Sequence, residues 1–329
     1  MKSARSVRIF TGISIGILTI SAVSALAFTT VTASIEKIDA FAGIDKRPEK
    51  KSSAINYLIV GSDTREGLTR AEQKELRVGS VKTAAGKRSD TMLLVHVSKS
   101  RDKAVIISIP RDSYALIPAH KNSAGKDIPA AHSKINSSFN WGGAPLLIQT
   151  LEQMTNLKID HYVEINFVGF ARMVDSLGGI EVCTKRDIND AKSHLVLPAG
   201  VHTLNGIEAL KYVRTRDFDG LGDIGRMQRQ QAFIGSVLRK ATSAGVLLNP
   251  VTMTSFINSA LSAVTTDSGL NSSELIVLAK QLKSLSASNV RTLTVPLSDL
   301  NYYANGVTAS VLWDPVLAPQ LWDRLREDR

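Results

Sequence analysis

Four short stretches carry charge where a packing pattern would place apolar residues. They are Gly61-Ser62-Asp63-Thr64-Arg65, Arg88-Ser89-Asp90-Thr91, Pro110-Arg111-Asp112, and Arg214-Thr215-Arg216 with Arg226-Met227-Gln228-Arg229-Gln230. Guanidinium groups present forked donors that match phosphate oxygens, and several together hold a polyanion such as pyrophosphate. Carboxylates among so many arginines make sense as ligands of a hard cation bridging the same phosphates, as Mg²⁺ does. The chemistry such a set can do is phosphoryl transfer, with the cations neutralising charge on the leaving group. A blander account has Asp63, Asp90 and Asp112 merely paired with arginines as structural salt bridges. It competes for any one pair and weakens for the whole set.

These residues meet only if the elements between them converge on one edge. Ile55–Val60, Thr91–Val97 and Ala104–Ile109 are short runs rich in Val, Ile and Leu that read as strands, the last two joined as a hairpin by the polar Ser98–Lys103. If the first strand ends at Asp63 and the second runs antiparallel to it, Asp90 lies at the same sheet edge. The hairpin then delivers Arg111 there too. A long helix opens at Asp223 and runs to about Ala244; Arg226 and Gln230, four residues apart, share one face near its N-terminus. That end also offers free N–H groups and a positive dipole. Arg214 and Arg216 reach the same region if the loop 218–222 folds back.

Other helices are expected over 144–154, opened by Ala144-Pro145; over 167–177, stopped by Gly178-Gly179; after the cap Asn205 with Glu208; and over 250–264 and 273–285. Further strands are expected at 161–166, 180–182 and 290–295. Thr69 with Glu72 resembles a capping box for a short helix inside a polar insertion between Arg65 and Arg88. The pattern is one α/β domain with a mixed sheet between helices.

The chain of 329 residues is 43% apolar and 21% charged, a globular composition. From Ile9 to Ile35 there is no charged residue, with Lys2, Arg5 and Arg8 before and Glu36 after. About 20 apolar residues span a bilayer, so this reads as a transmembrane helix with a cytoplasmic N-terminus. Ala25-Leu26-Ala27 offers a cleavage signal, so a removed export peptide competes with a retained anchor; the uncharged run beyond that site favours the anchor. The expected organisation is a cytoplasmic tail (1–8), an anchor in the cell membrane (9–35), a polar stalk (36–53) and an extracytoplasmic domain (54–329), with no second domain after it. The net charge is +10, of which Lys2, Arg5 and Arg8 account for +3, and the +7 left on the exported body points to an anionic partner.

Other chemistries are removed. The single Cys183, expected to be a small buried residue, excludes an intrachain disulfide framework and any Cys-x-x-Cys site. The histidines lack His-x-x-x-His spacing, Arg88 stands where a P-loop needs Ser or Thr after Gly86-Lys87, and Gly-x-Ser-x-Gly is absent. Trp141, Trp313 and Trp322 are expected to pack in the core or at its rim. Nucleic acid is not an expected partner, because the cytoplasmic part is too short to bind it.

Taken in order, Gly61–Arg65, Arg88–Met92, Ile109–Asp112, Lys134-Ile135-Asn136, Asp160–Val163, Val174–Ile180, Leu204–Leu210, Arg214–Arg216 and Gly225–Gln230 resemble the motif series of the LytR-CpsA-Psr cell-wall ligases, over about residues 54–245. The resemblance implies a three-layer αβα domain behind a membrane anchor. It also implies transfer of a glycopolymer, or its linkage unit, from a polyprenyl-pyrophosphate carrier to peptidoglycan, usually at the C6 hydroxyl of N-acetylmuramic acid. A phosphodiester forms and polyprenyl phosphate is released. By motif position Arg88, Arg111, Arg214, Arg216, Arg226 and Gln230 would contact the pyrophosphate, with Arg65 and Arg229 beside them. Asp63 and Asp90 would hold Mg²⁺, for which Mn²⁺ can stand in. Asp63 and Asp112 are the candidate bases, and the lipid would lie in an apolar tunnel between sheet and helices. Hydrolysis of the same diphosphate uses the same residues and stays open, and a membrane-associated transcriptional regulator is the more distant alternative.

Overall fold

The computed structural model describes residues 35–62, 71, 89–215, 222–241, 243–270, 274, 289–304 and 306–329. The first strands are β1 (Glu36–Ile38), β2 (Ile55–Ser62), β3 (Ser89–Val97) and β4 (Ala104–Ile109). Two small antiparallel pairs follow, β5 (Tyr114–Ile117) with β8 (Ala131–Lys134) and β6 (His120–Lys121) with β7 (Asp127–Ile128), and then helix α1 (Ile135–Thr155). Next come β9 (His161–Asn166), α2 (Phe167–Ser176), β10 (Ile180–Thr184), β11 (Ile188–Asp190), β12 (Leu195–Leu197) and β13 (Gly200–Leu204). Helices α3 (Gly206–Arg214), α4 (Gly222–Ala241), α5 (Ala244–Leu247) and α6 (Pro250–Ser262) lead to β14 (Val264–Asp267) and β15 (Val290–Thr294). The hairpin β16 (Leu297–Ala304) and β17 (Val307–Trp313) and helix α7 (Leu317–Arg326) complete the described chain.

A seven-stranded mixed sheet in the order β1-β14-β9-β2-β3-β4-β15 is the frame. β3 lies between β2 and β4 and runs antiparallel to both, while β9 runs parallel to β2 and β15 parallel to β4. In register, Leu58 faces Leu94 and Leu94 faces Ile107; Val60 faces Met92 and Met92 faces Ile109. Period-two alternation puts all six on one side, where they join a single buried cluster with Leu147, Ile148 and Leu151 of α1 and Trp322 and Leu325 of α7. The other side meets α2, α3 and α4, so helices lie on both faces of the sheet.

Local chemistry explains the helix ends. Asn205 and Glu208 form a reciprocal capping box at α3, and the Asn166 side chain accepts from Gly169 N at 2.8 Å to start α2. α1 is longer than the expected 144–154. It begins at Ile135 and kinks at Gly143, whose φ of 64° suits glycine, before Pro145 restarts it.

Three expectations are corrected. Residues 36–53 are no stalk: β1 pairs with β14 in the sheet, Ala40 is fully buried, and the Arg47 guanidinium bonds the buried Glu152 carboxylate at 2.6 Å and the Ile159 carbonyl. An edge strand of three residues that pairs with a partner remote in sequence leaves no local signature. The strand at 180–182 is not in the main sheet; β10 pairs with β13 in a separate two-stranded unit over α4. Cys183 is exposed, because it falls on the outward phase of β10.

Trp313 and Trp322 pack at a ring distance of 5.5 Å as expected, whereas Trp141 is 40% exposed and stacks on His120. The expected anchor lies, apart from Ile35, outside the described residues, as do the expected helix at 273–285 apart from Glu274 and the one near Thr69 apart from Ala71. Among the described residues no helix is long and apolar enough to cross a membrane.

Candidate functional site

The β2–β3 pair ends at a bulge. Gly61 faces Thr91 and Ser62 faces Ser89, so Asp90 is the extra residue of β3 at the sheet end where the chain leaves Ser62 for Asp63. One strand further, β4 runs into the turn Pro110–Ser113. That turn is fixed from several sides: Ser113 Oγ donates to Pro110 O at 2.7 Å, and Trp313 Nε1 donates to Ser113 Oγ at 2.9 Å. Val311 N donates to Asp112 O at 2.8 Å, while the first N–H groups of α1, on Ile135 and Asn136, donate to the carbonyls of Ser113 and Arg111. The turn therefore supplies the cap that the residue before α1, Lys134, does not provide by its side chain. Arg111 is held at the end of β4 as a result. Asp112 Oδ1 lies 3.9 Å from Arg111 Nε and 3.7 Å from Lys134 Nζ.

Helix α4 is docked on the sheet by Gln231, whose Nε2 donates to Ser108 Oγ at 2.8 Å and Thr294 Oγ1 at 2.9 Å. It grips the end of α3 as well. Gln230 Nε2 donates to Val213 O at 3.2 Å and the Arg229 guanidinium to Thr215 O at 2.5 Å. Arg226, one turn earlier, is only 3% exposed. Arg214, the last residue of α3, sets its guanidinium 5.2 Å over the Phe167 ring, a cation–π contact.

Three cavities adjoin these side chains. A cleft of about 30 Å³ is lined by Arg111, Asp112, Arg226 and Gln230, and a neighbouring one of about 240 Å³ by Lys192, Arg214, Arg226 and Gln230. The third, of about 250 Å³, is walled by Ile59, Leu93, Val95, Phe170, Phe233 and Val237, and also reaches Gln230. A polyanion-binding mouth with an apolar chamber behind it suits an amphiphile with an anionic head and a long apolar tail.

The family model described as LytR_cpsA_psr matches residues 22–322. The chain belongs to the LytR-CpsA-Psr family. Among curated relatives it is 36% identical over 275 residues to "Probable cell wall biosynthesis protein LcpB" of Corynebacterium glutamicum, covering 84% of this chain and 62% of that protein. To "Polyisoprenyl-teichoic acid--peptidoglycan teichoic acid transferase TagT" of Bacillus subtilis it is 34% identical, over 60% of this chain and 55% of that one. The chain thus spans less than two thirds of the length of these relatives. The LytR-Csp2A-Psr enzyme from Actinomyces oris has the same fold, with a TM-score of 0.67 at 24% identity over 88% of this chain and 95% of that one. A structure described as TagT bound to LI-WTA gives a TM-score of 0.59 at 24% identity over 86% and 94%.

Of the residues singled out in this family member's sequence, Arg111, Asp112, Arg214, Arg226 and Gln230 line the two charged cavities. Arg229 instead spends its guanidinium on the Thr215 carbonyl. Asp63, Arg65, Arg88 and Arg216 lie outside the described residues, and of Asp90 the backbone alone is described. Among the described residues no three His, Cys, Asp or Glu side chains gather closely enough to hold a metal. Sequence reasoning passed over Lys192, a lone lysine in a polar loop, and Gln231. Gln231 stands in the polar run Gln228-Arg229-Gln230-Gln231, where nothing in the sequence sets it apart from its neighbours.

Proposed function

We propose that this chain transfers a glycopolymer, or its linkage unit, from a polyprenyl-diphosphate carrier to a hydroxyl of peptidoglycan, leaving polyprenyl phosphate. The observation that carries it is the contiguity of the site: Arg226 lines both charged cavities, and Gln230 lines these and the apolar chamber as well. The family membership and the transferase names of its relatives point the same way. Arg111, Arg214 and Arg226 bind the diphosphate and offset the charge that grows on the departing phosphate, a low-dielectric arrangement set before reaction begins. Arg65, Arg88 and Arg216 belong to the same grip. Gln230 fixes α4 against α3 and so sets the spacing of Arg214 and Arg226. Asp63 or Asp112 takes the proton of the acceptor hydroxyl.

The carboxylates of Asp63 and Asp90 suit Mg²⁺ or Mn²⁺, and the bulge that brings Asp90 beside the end of β2 supports that pairing. Such an ion, when bound, adds positive charge at the phosphates. The apolar run 9–35 holds the chain in the cell membrane with its N-terminus in the cytoplasm and the domain outside.

The test uses the full chain, a polyprenyl-diphosphate-linked glycan and purified peptidoglycan. Arg226→Met is expected to lower transfer by about a hundredfold to a thousandfold, the loss typical for removing one preorganised donor. Transfer at the native rate by that variant sinks the proposal. Release of the glycan without peptidoglycan, at an equal rate, makes the chain a hydrolase instead.

A further inference from the structure

The two charged cavities differ in what they adjoin. Both are lined by Thr91, Arg226 and Gln230. The Arg111 cleft continues toward Asp112, Met227 and Val311. That cleft shares Thr91, Leu93 and Gln230 with the apolar chamber, whereas the cavity of Lys192 and Arg214 shares more of it: Gly61, Thr91, Phe167, Leu210, Val213 and Gln230. Arg226 therefore lies between Arg111 on one side and Lys192 with Arg214 on the other, and the Lys192 side adjoins the apolar wall more broadly. A polyprenyl diphosphate has a matching order: glycan-bearing phosphoryl group, bridging oxygen, lipid-bearing phosphoryl group, isoprene chain.

Lys192 is exposed, but its backbone is tied to the helix end that carries Arg214. Asp190, 1% exposed, accepts from Lys192 N at 2.7 Å and from Ser193 N at 2.9 Å. The buried Ser193 hydroxyl bonds the Thr215 hydroxyl at 3.1 Å, and Thr215 Oγ1 donates to Lys211 O at 3.0 Å. Arg229 holds the Thr215 carbonyl from the other side. With its backbone held in this way, Lys192 stands at a cavity that it lines with Arg214 and Arg226, where its exposed side chain can meet an anionic ligand.

Given the function proposed above, on which this rests, we infer that Lys192 and Arg214 bind the lipid-bearing phosphoryl group while Arg111 binds the one being transferred, with Arg226 between them. The acceptor oxygen bonds to the phosphorus at Arg111, and the bond from that phosphorus to the bridging oxygen breaks. The electron pair stays on the bridging oxygen, which leaves as part of polyprenyl phosphate, and the acceptor proton passes to the base. Negative charge accumulates beside Lys192, so this lysine is a catalytic residue for departure and the chief contact, with Arg214, for the monophosphate product.

The experiment measures binding of a short-chain polyprenyl monophosphate and of the corresponding diphosphate to the full chain in detergent, alongside transfer rates. Lys192→Met is expected to weaken monophosphate binding about tenfold, the scale of one charge-assisted hydrogen bond at a partly exposed site. Lys192→Arg restores most of it. Arg111→Met leaves monophosphate affinity unchanged while lowering transfer. Equal monophosphate affinity for Lys192→Met and the native chain, with binding lost in Arg226→Met, overturns the role of Lys192 and leaves the proposed function standing. A loss of monophosphate affinity in Arg111→Met as large as in Lys192→Met overturns the orientation. A native chain that binds neither lipid ends both.

Discussion

The two faces of the central sheet are made from the same strands and the same residue types, yet one is filled and the other hollow. On the filled face Leu58, Val60 and Ile107 are each 0% exposed and pack against Leu147 and Ile148 of α1, themselves 0% exposed. On the hollow face Ile59, Leu93, Val95 and Ile106 look onto about 250 Å³ bounded by Phe170, Phe233 and Val237. Alternation along a strand dictates which residues leave water, not that the protein itself fills the space they enter. Native cores pack at a density near 0.74, and an empty apolar volume forfeits dispersion contacts along its lining. A chamber of this size beside three cations is retained at a cost to the free protein, one that under the proposed function an entering isoprene tail would offset.

The sharpest way to break the contrast is a cavity on the filled side. Leu147→Ala is expected to cost about 2–5 kcal/mol of stability, transfer term plus residual void. A loss below about 1 kcal/mol in denaturant unfolding shows that the α1 face is less tightly built than described. Enlargement tests the same contrast from the other direction. Val60→Phe overpacks the filled face and should cost about 1–3 kcal/mol. Val237→Phe adds the same group to the hollow face and should leave stability within about 0.5 kcal/mol while raising the KM for the lipid-linked donor. If the two variants are equally destabilised, the chamber is not open space.

Much of the frame was legible because its strands are dense in Val, Ile and Leu. The expected spans 104–109 and 161–166 coincide with β4 and β9, and the Asn205–Glu208 cap with α3. What escaped notice lacked such density. β1, β8 and β16 contain no fully buried residue, and each is held by a partner rather than by burial, the partner of β1 lying far along the chain. The first half of α1 was hidden by Gly142-Gly143, which reads as a terminator until Pro145 restarts the helix. At the site, Arg111, Asp112, Arg214, Arg226 and Gln230 were visible as a set because charge at the ends of apolar runs is conspicuous. Lys192 was not, since nothing in its own neighbourhood of sequence distinguishes it; its role follows from Asp190, Ser193 and Thr215, which join a loop to a helix end.

The far end of the same strands carries the gentlest test, one buried histidine on each face. His96 follows Met92 and Leu94 on the filled side. Burial holds its pKa below 6.5 against the pull of Asp328 and Asp160, with Arg101 adding to the depression. His161 lies with Tyr57 on the hollow side. Burial again opposes the charge, but the hydrogen bond and charge of Asp267, with Glu274 and Asp160, outweigh it and raise the pKa above 6.5. The signs follow from linkage. The stabilisation from His161 is complete below the unfolded value and is lost as pH rises through the folded one. His96 binds its proton more readily when unfolded, so it subtracts stability as pH falls below the unfolded value. Thermal melts at pH 5.5 and pH 8 should therefore show His161→Asn further below the native chain at the lower pH. His96→Asn should recover ground on the native chain over the same interval. If both variants shift in the same direction, the two faces do not differ at this end, and the contrast is confined to the arginine side of the sheet.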